Sequence, residues 1–215
     1  MKKTILAVLT LALVLTSCAK AKDTEVAPVF TGGSSTVEWA SKAATVEELV
    51  SEADLIVRVR VIEAPVTRVL RHELPVWGEN NKIVGSETFE ALFSDTVFEV
   101  VKTYLGDPPS QITVMQIGGY DPTVSKGIEE VGDDPLYKVR EGYILFLVNI
   151  SGDQIHAPDR ELYRIVNPFG RYGIDGEAVF SYGQNSGTDA VFVTSTIKEL
   201  ELQIEQAVDL LKRPD

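Results

Sequence analysis

The residues best suited to catalysis are few and widely separated along this 215-residue chain. His72 and His156 are its two histidines, and each lies in a charged or polar stretch. Together they would supply half of a zinc site and would need two carboxylates from elsewhere, so exposed histidines are the simpler interpretation. Ser195 and Lys198 have the Ser-x-x-Lys spacing of a lysine-activated serine, but no Ser-Asp-Asn or Lys-Thr-Gly motif follows. A helix N-cap beside a surface lysine explains that match.

An acidic cluster, Glu129, Glu130, Asp133 and Asp134, is the one further group with the chemistry of a ligand set. Carboxylates bind calcium, and extracellular modules with weak affinity work at the high calcium level outside cells. The spacing fits no EF-hand loop, however, and a solvated acidic loop is the favoured interpretation. The sequence therefore predicts no cofactor.

The segment 118–140, which contains this cluster, is the part of the sequence in which we expect a ligand-binding surface. It joins two predicted strands and is rich in glycine, proline and acidic residues. Long connections without secondary structure are uncommon in compact domains and tend to be functional or disordered. Tyr120 and Tyr137 stand near its two ends and could stack on a sugar or a peptide. The simpler and favoured interpretation is a mobile acidic loop whose two tyrosines pack on the barrel.

The start of the chain has the pattern of an export signal. Lys2 and Lys3 form a positive region, and residues 5–15 are apolar apart from Thr10. Those eleven residues would span about half of a ~30 Å hydrocarbon core, which favours a signal peptide over a transmembrane helix. The next residues, Leu15-Thr16-Ser17-Cys18, resemble the lipobox of bacterial lipoproteins.

This resemblance implies cleavage between Ser17 and Cys18 and attachment of lipid to Cys18. The chain would then comprise a signal peptide (1–17), a flexible tether (18–44) and a globular domain (45–215), with the membrane as partner through its lipid. Ala19 implies the outer membrane in a bacterium with two membranes, and otherwise the outer face of the cell membrane. An ordinary signal peptide with an incidental cysteine is the alternative.

Charge and cysteine content limit the possible partners and the way the domain is held together. The net charge is −12 and becomes −14 once Lys2 and Lys3 are removed with the signal peptide. Such an acidic surface argues against nucleic acid as a partner. Cys18 is the single cysteine, so a lipidated chain has no disulfide and its hydrophobic core must stabilise it.

The pattern of apolar residues predicts short strands between two helices. Thr45 with Glu48, and Thr196 with Glu199, are capping boxes that predict a short helix ending near residue 54 and a longer C-terminal helix. Strands are predicted over 55–62 (continuing through 66–70), 89–104, 112–117, 143–150, 163–166, 171–174 and 178–182. The strand 143–150 is apolar on both faces and should be central. Residues 74–87 are predicted to be a polar excursion, and Asp175-Gly176 a hairpin turn.

These elements predict a mainly β, α+β domain: an antiparallel sheet or small OB-like barrel with a short N-terminal and a longer C-terminal helix. The stretches 53–57, 98–102 and 141–147 resemble exported bacterial domains whose barrel is like that of netrin and metalloproteinase-inhibitor modules. Those modules are usually rich in cysteine, so the resemblance implies their architecture alone. We expect a non-enzymatic lipoprotein that binds an envelope protein or polymer. The alternative is an envelope hydrolase whose carboxylate site is assembled only by the fold.

Overall fold

The structure is a computed structural model that describes residues 39–119, 129–130, 134–182 and 193–213. The described residues form two α-helices, α1 (Val46–Glu52) and α2 (Ile197–Leu211). They also form ten strands: β1 (Leu55–Val61), β2 (Val66–Trp77), β3 (Ile83–Leu105), β4 (Gln111–Gly119), β5 (Glu129–Glu130), β6 (Gly142–Asn149), β7 (Tyr163–Ile165), β8 (Arg171–Asp175), β9 (Ala178–Ser181) and β10 (Val193–Thr196). The predicted lipobox lies outside the described residues.

Both helices begin where the sequence predicts, because each has a complete capping box. The Thr45 hydroxyl accepts a hydrogen bond from the Glu48 N–H at 3.3 Å, and the Glu48 carboxylate accepts one from the Thr45 N–H at 3.1 Å. Hydrogen bonds from the backbone N–H groups of Ala44 and Thr45 lower the pKa of Glu48. Thr196 and Glu199 repeat the arrangement at α2. The two reciprocal bonds satisfy N–H groups that a helix start would leave unpaired.

Five strands close into a barrel in the order β1–β3–β4–β7–β6, with β6 pairing back to β1. Neighbouring strands are antiparallel except β4 and β7, which run parallel through the pairs Val114↔Tyr163 and Met115↔Arg164. This confirms the predicted small OB-like barrel. The sheet continues past β6 into β8, β9 and β10, and the turn between β8 and β9 contains Gly176 at a φ of 59°, which suits glycine.

The strand β6 is central, as predicted, because it pairs with β1, β7 and β8. Successive side chains of a strand point to opposite faces. Tyr143, Leu145 and Leu147 accordingly fill the barrel, whereas Ile144 and Phe146 pack beneath the two helices. The apolar side of α2, with Leu200, Ile204 and Val208, buries this second face together with α1. The strand is therefore a wall shared by two cores.

The polar excursion predicted over 74–87 is wrong. Strands β2 and β3 pair along twelve positions, from Val66↔Asp95 to Trp77↔Ile83, while β4 pairs with β3 from Phe93 onward. Among the described residues, 71–77 and 83–90 thus form a two-stranded ribbon without a third strand. Most ribbon residues are exposed, so the strands need no buried apolar face and leave no period-two pattern in the sequence.

Residues 39–44, which the sequence assigns to the tether, pack on the domain. Ala43 is buried with the α1 core, and its carbonyl accepts a hydrogen bond from the Asn167 side chain at 2.8 Å. The same amide donates to the Ser41 hydroxyl at 3.1 Å. Trp39, the first described residue, already contacts the domain, because its ring packs against the barrel core.

Candidate functional site

A depression of about 370 Å³ lies on the outer face of β3 and β4, and we call it the β3–β4 groove. Its apolar residues are Trp39, Phe93, Met115, Ile117 and Ile150, and its polar ones include Asp153, His156 and Arg164. A pocket with an apolar surface and a few polar groups is the usual form of a ligand site.

Side chains of β3 and β4, together with the connection from β6 to β7, form this groove. Phe93 lies opposite Ile117, and Asp95 lies opposite Met115, so these four side chains leave the barrel on its outer face. The connection from β6 to β7 folds back over that face, where Ala157 and Leu162 are buried against Phe93 and Met115. The Ile150 N–H donates to the Leu162 carbonyl at 2.9 Å and closes the base of this loop.

Cationic side chains border the groove although the whole protein is strongly acidic. Oδ2 of Asp95 accepts a hydrogen bond from Arg68 at 2.8 Å and forms an ion pair with Arg160 at 2.8 Å, so one carboxylate contacts two guanidinium groups. Arg68 also lies 5.8 Å from the centre of the Phe93 ring. Arg164 donates to the neighbouring carbonyl of Ile165 at 3.3 Å. Two arginines therefore share one aspartate beside the groove, whereas Asp153 and Arg164 line it with opposite charges.

His156 reaches the groove from a turn that Asp153 organises. Oδ1 of Asp153 accepts hydrogen bonds from the backbone N–H groups of His156 at 2.8 Å and Ile155 at 3.0 Å, and it lies 2.9 Å from Nδ1 of His156. These bonds, the backbone one from His156 above all, lower the pKa of Asp153. The imidazole stands edge-on to Phe93, with ring centres 5.4 Å apart. His156 therefore presents a partly exposed, oriented ring at the end of the groove.

The proposed stacking role of Tyr137 is wrong, because its ring is only 2% exposed and belongs to the barrel core. The guanidinium of the buried Arg171 lies 3.9 Å from the Tyr137 ring centre, 5.0 Å from that of Tyr143 and 4.2 Å from that of Tyr182. Burial raises the pKa of the Tyr137 hydroxyl well above its usual value. Tyr120 lies outside the described residues.

The other residues singled out from sequence stand apart from the groove. Asp134 is buried and bonds Arg171 at 2.7 Å, while Glu129 and Glu130 form β5 beside Gly118 and Gly119. His72 lies in β2, in register with Phe89. Ser195 is in β10, one residue before the N-cap Thr196, and Lys198 is exposed on α2. Within the described ranges, no three His, Cys, Asp or Glu residues are placed to hold a metal ion.

A second groove, of about 430 Å³, is lined by Arg58, Arg60 and Arg140. Two of these arginines are paired within the protein, because Arg60 contacts Glu99 at 2.6 Å and Arg58 lies 3.7 Å from Glu201. The β3–β4 groove combines a more apolar lining with a few oriented polar groups, so it is the stronger candidate for a ligand site.

Sequence reasoning missed the β3–β4 groove, although one signal was present. Met115 and Ile117 alternate with the inward-facing Val114 and Gln116, so β4 has large apolar side chains on both faces. A barrel strand with an apolar outer face implies that something covers or contacts that face.

Comparison with known proteins gives no further assignment. No protein-family model matches the chain, and neither the curated proteins nor the solved structures contain a significant match. The described strand order therefore defines the class, a small OB-like barrel extended by three strands and two helices. Among the described helices, neither has the length and apolar composition needed to cross a bilayer.

Proposed function

We propose that this protein is a lipid-anchored lipoprotein of the bacterial cell envelope whose barrel binds an envelope protein or polymer and catalyses no reaction. The export and lipidation part rests on the short apolar segment and the Leu15-Thr16-Ser17-Cys18 sequence. The binding part rests on the β3–β4 groove.

The position of the groove carries the binding proposal. OB-type barrels bind oligosaccharides and oligonucleotides across the face of their second and third strands, between the loops after the first and fourth strands. Here those barrel strands are β3 and β4, and the loops correspond to the β2–β3 ribbon and the connection between β6 and β7. The net charge of −12 disfavours oligonucleotides, which leaves a sugar polymer or a peptide segment.

The tryptophan content allows a direct test of the groove. Trp39 and Trp77 are the two tryptophans, and Trp39 lines the groove. In a Trp77→Phe background, the emission of Trp39 reports ligand entry. We expect soluble peptidoglycan fragments or extended peptides to change this emission saturably.

A matched pair of variants separates groove binding from surface adsorption. Ile117→Ser removes an apolar group from the groove and should weaken the titration, whereas Val101→Ser alters an exposed residue of the second groove and should leave it unchanged. Equal weakening by both variants, or no saturable response to either ligand class, would contradict a binding role for the β3–β4 groove.

The lipid anchor is tested separately. Cys18→Ala removes the sulfur that would carry the diacylglyceryl group, so lipid attachment and cleavage before residue 18 should both fail. Intact-mass analysis of protein extracted from membranes measures both events. An unmodified Cys18, or a mature N-terminus at another residue, would contradict lipidation while leaving the groove proposal intact.

A further inference from the structure

The far end of the β2–β3 ribbon exposes large apolar side chains. Trp77 is 60% exposed, Ile83 61% and Val84 66%, and Val76 is also exposed. Trp77 and Ile83 lie opposite each other in the last register position of the ribbon. We call these four residues the ribbon tip. Exposed aromatic and branched side chains clustered at the end of a projecting element indicate a contact surface.

The turn that carries the ribbon tip has a defined shape. The Gly78 N–H donates to the Lys82 carbonyl at 2.8 Å, and Asn80 and Asn81 adopt positive φ angles of 64° and 53°. Asparagine is among the residues that tolerate this conformation best. Val84 packs so closely over Gly78 that an added Cβ would lie 2.5 Å from its Cγ1. The apolar side chains are thus presented by an ordered turn.

The ribbon tip is apolar on both of its faces. Val76 and Trp77 are consecutive in β2 and point to opposite sides of the ribbon, whereas a register shift leaves Val84 unpaired in β3 beside Ile83. A flat protein surface would cover one side and leave the other in water. A bilayer interface surrounds an inserted tip, and tryptophan is enriched at that depth.

We propose that the ribbon tip inserts into the interfacial layer of the membrane to which the protein is anchored. This inference rests on the lipid anchor of the proposed function. It gives the domain a second membrane contact, which would fix its orientation and set the β3–β4 groove at a defined height above the bilayer.

The chain is long enough for both contacts to be made together. Ten residues of β3 separate Phe93, at the groove, from Ile83 at the tip, a distance of about 33 Å at 3.3 Å per residue. Trp39 lines the same groove, and the twenty residues 19–38 between it and Cys18 can span at most about 70 Å. A lipid on Cys18 therefore reaches the plane of the ribbon tip.

The charged residues of the ribbon determine which lipids it can contact and how deeply the ribbon tip can insert. Glu79 and Lys82 flank the ribbon tip with opposite charges, so the tip itself is neutral. Further along the ribbon, Glu73, Glu87 and Glu90 exceed Arg71, which disfavours deeper contact with anionic headgroups. Unpaired strand edges are also costly in hydrocarbon. We therefore expect shallow insertion into neutral lipid, about 5–10 Å into the headgroup and upper acyl region.

Bromine-labelled lipids test this insertion, because bromine quenches tryptophan at short range. The lipidated Trp39→Phe variant, in which Trp77 is the remaining tryptophan, is reconstituted into phosphatidylcholine vesicles. We expect Trp77 emission to shift to shorter wavelength. Bromine near the headgroup should quench it more strongly than bromine near the chain ends.

The lipidated Trp77→Phe variant is the matched control, and its Trp39 should stay unquenched. Protein that floats with the vesicles but shows an unquenched Trp77 would overturn the insertion of the ribbon tip and leave the lipid anchor intact. Failure to float would overturn the anchor and the insertion together. Equal quenching of both tryptophans, or a blue shift without lipid that grows with protein concentration, would also overturn insertion. The last result would assign the ribbon tip to a second copy of the chain.

Discussion

The guanidinium of Arg171 lies 3.9 Å from the centre of the Tyr137 ring, and both side chains are buried. Burial by itself would lower the pKa of Arg171, but Asp134 and the tyrosines around the guanidinium (Tyr137, Tyr143 and Tyr182) together raise it. Arg171 therefore remains charged inside the protein, where Asp134 balances it. The residues that sequence assigned to a working surface instead hold the barrel core to β8.

Replacing Arg171 with methionine should lower the free energy of unfolding by about 3–5 kcal/mol, because the Asp134 carboxylate loses its buried cation. The double variant Arg171→Met/Asp134→Asn should recover part of the loss. Urea unfolding followed by circular dichroism measures each value. The control Arg60→Met breaks an exposed pair with Glu99 and should cost less than ~1 kcal/mol. Equal costs for Arg171→Met and Arg60→Met would refute a structural role for the buried pair.

Tyr137→Phe should leave stability unchanged or raise it by about 1 kcal/mol. Its hydroxyl is buried without a hydrogen-bond partner among the described residues, and removing an unpaired polar group relieves a desolvation cost. Thermal unfolding of the variant beside the parent protein measures the difference. A clear loss of stability would show that the hydroxyl has a partner in the remaining part of the chain.

Alkaline pH should destabilise the protein through its buried tyrosines. Burial raises the pKa of both Tyr137 and Tyr143 above the ordinary value of 10.0. Above that pH the unfolded chain loses these protons and the folded chain keeps them, so stability falls as pH rises. Ultraviolet titration should show these tyrosines ionising only together with unfolding. Ionisation of every tyrosine near pH 10 in a protein that stays folded would contradict their burial.

The contact between α2 and the sheet should weaken in acid. Glu201 accepts hydrogen bonds from Tyr104 at 2.6 Å and Lys102 at 3.1 Å, and these outweigh burial and lower its pKa below 4.5. A lowered pKa contributes stability above the unfolded value, which is lost as pH falls through the folded value. Glu201→Gln should flatten the acid limb of the stability curve, whereas Asp209→Asn, exposed on the same helix, should not. Identical acid limbs for Glu201→Gln and the parent protein would exclude this contribution.

Truncation of β6 should be costly on either of its faces. Leu145→Ala, in the barrel, and Ile144→Ala, beneath the helices, should each lower the free energy of unfolding by about 2–5 kcal/mol, since both side chains are fully buried. The exposed Val139→Ala serves as control and should change stability by less than ~0.5 kcal/mol. Hydrogen exchange should show β6 amides among the slowest, and fast exchange there would contradict its central position.

Local signals in the sequence were sufficient for the helix starts and the central strand. Thr45 with Glu48 satisfies N–H groups within four residues of chain, and the strand over 143–150 is apolar on both faces because two cores need it. The Asp175-Gly176 turn was likewise predictable, since glycine relieves a positive φ there. Each of these features depends on residues that are close in sequence.

The candidate site could not be predicted in the same way, because residues distant in sequence build it. The groove combines Trp39, Phe93, Met115 and Arg164, which come from the segment before α1, from β3, from β4 and from β7. The sequence left the stacking role of Tyr137 open because its buried partner, Arg171, comes from a distant strand. The ribbon was missed because its strands satisfy each other by backbone pairing and bury little.

The barrel closes through the two residue pairs that join β4 to the three-residue strand β7. The β3–β4 groove runs along this seam, with Met115 and Ile117 on one side and Arg164 and Ile165 on the other. A ligand bound there would contact both β4 and β7, the two barrel strands with the shortest pairing. Because a ligand that binds only the closed barrel stabilises it, β4 and β7 should separate more often in the free protein than in the ligand-bound protein.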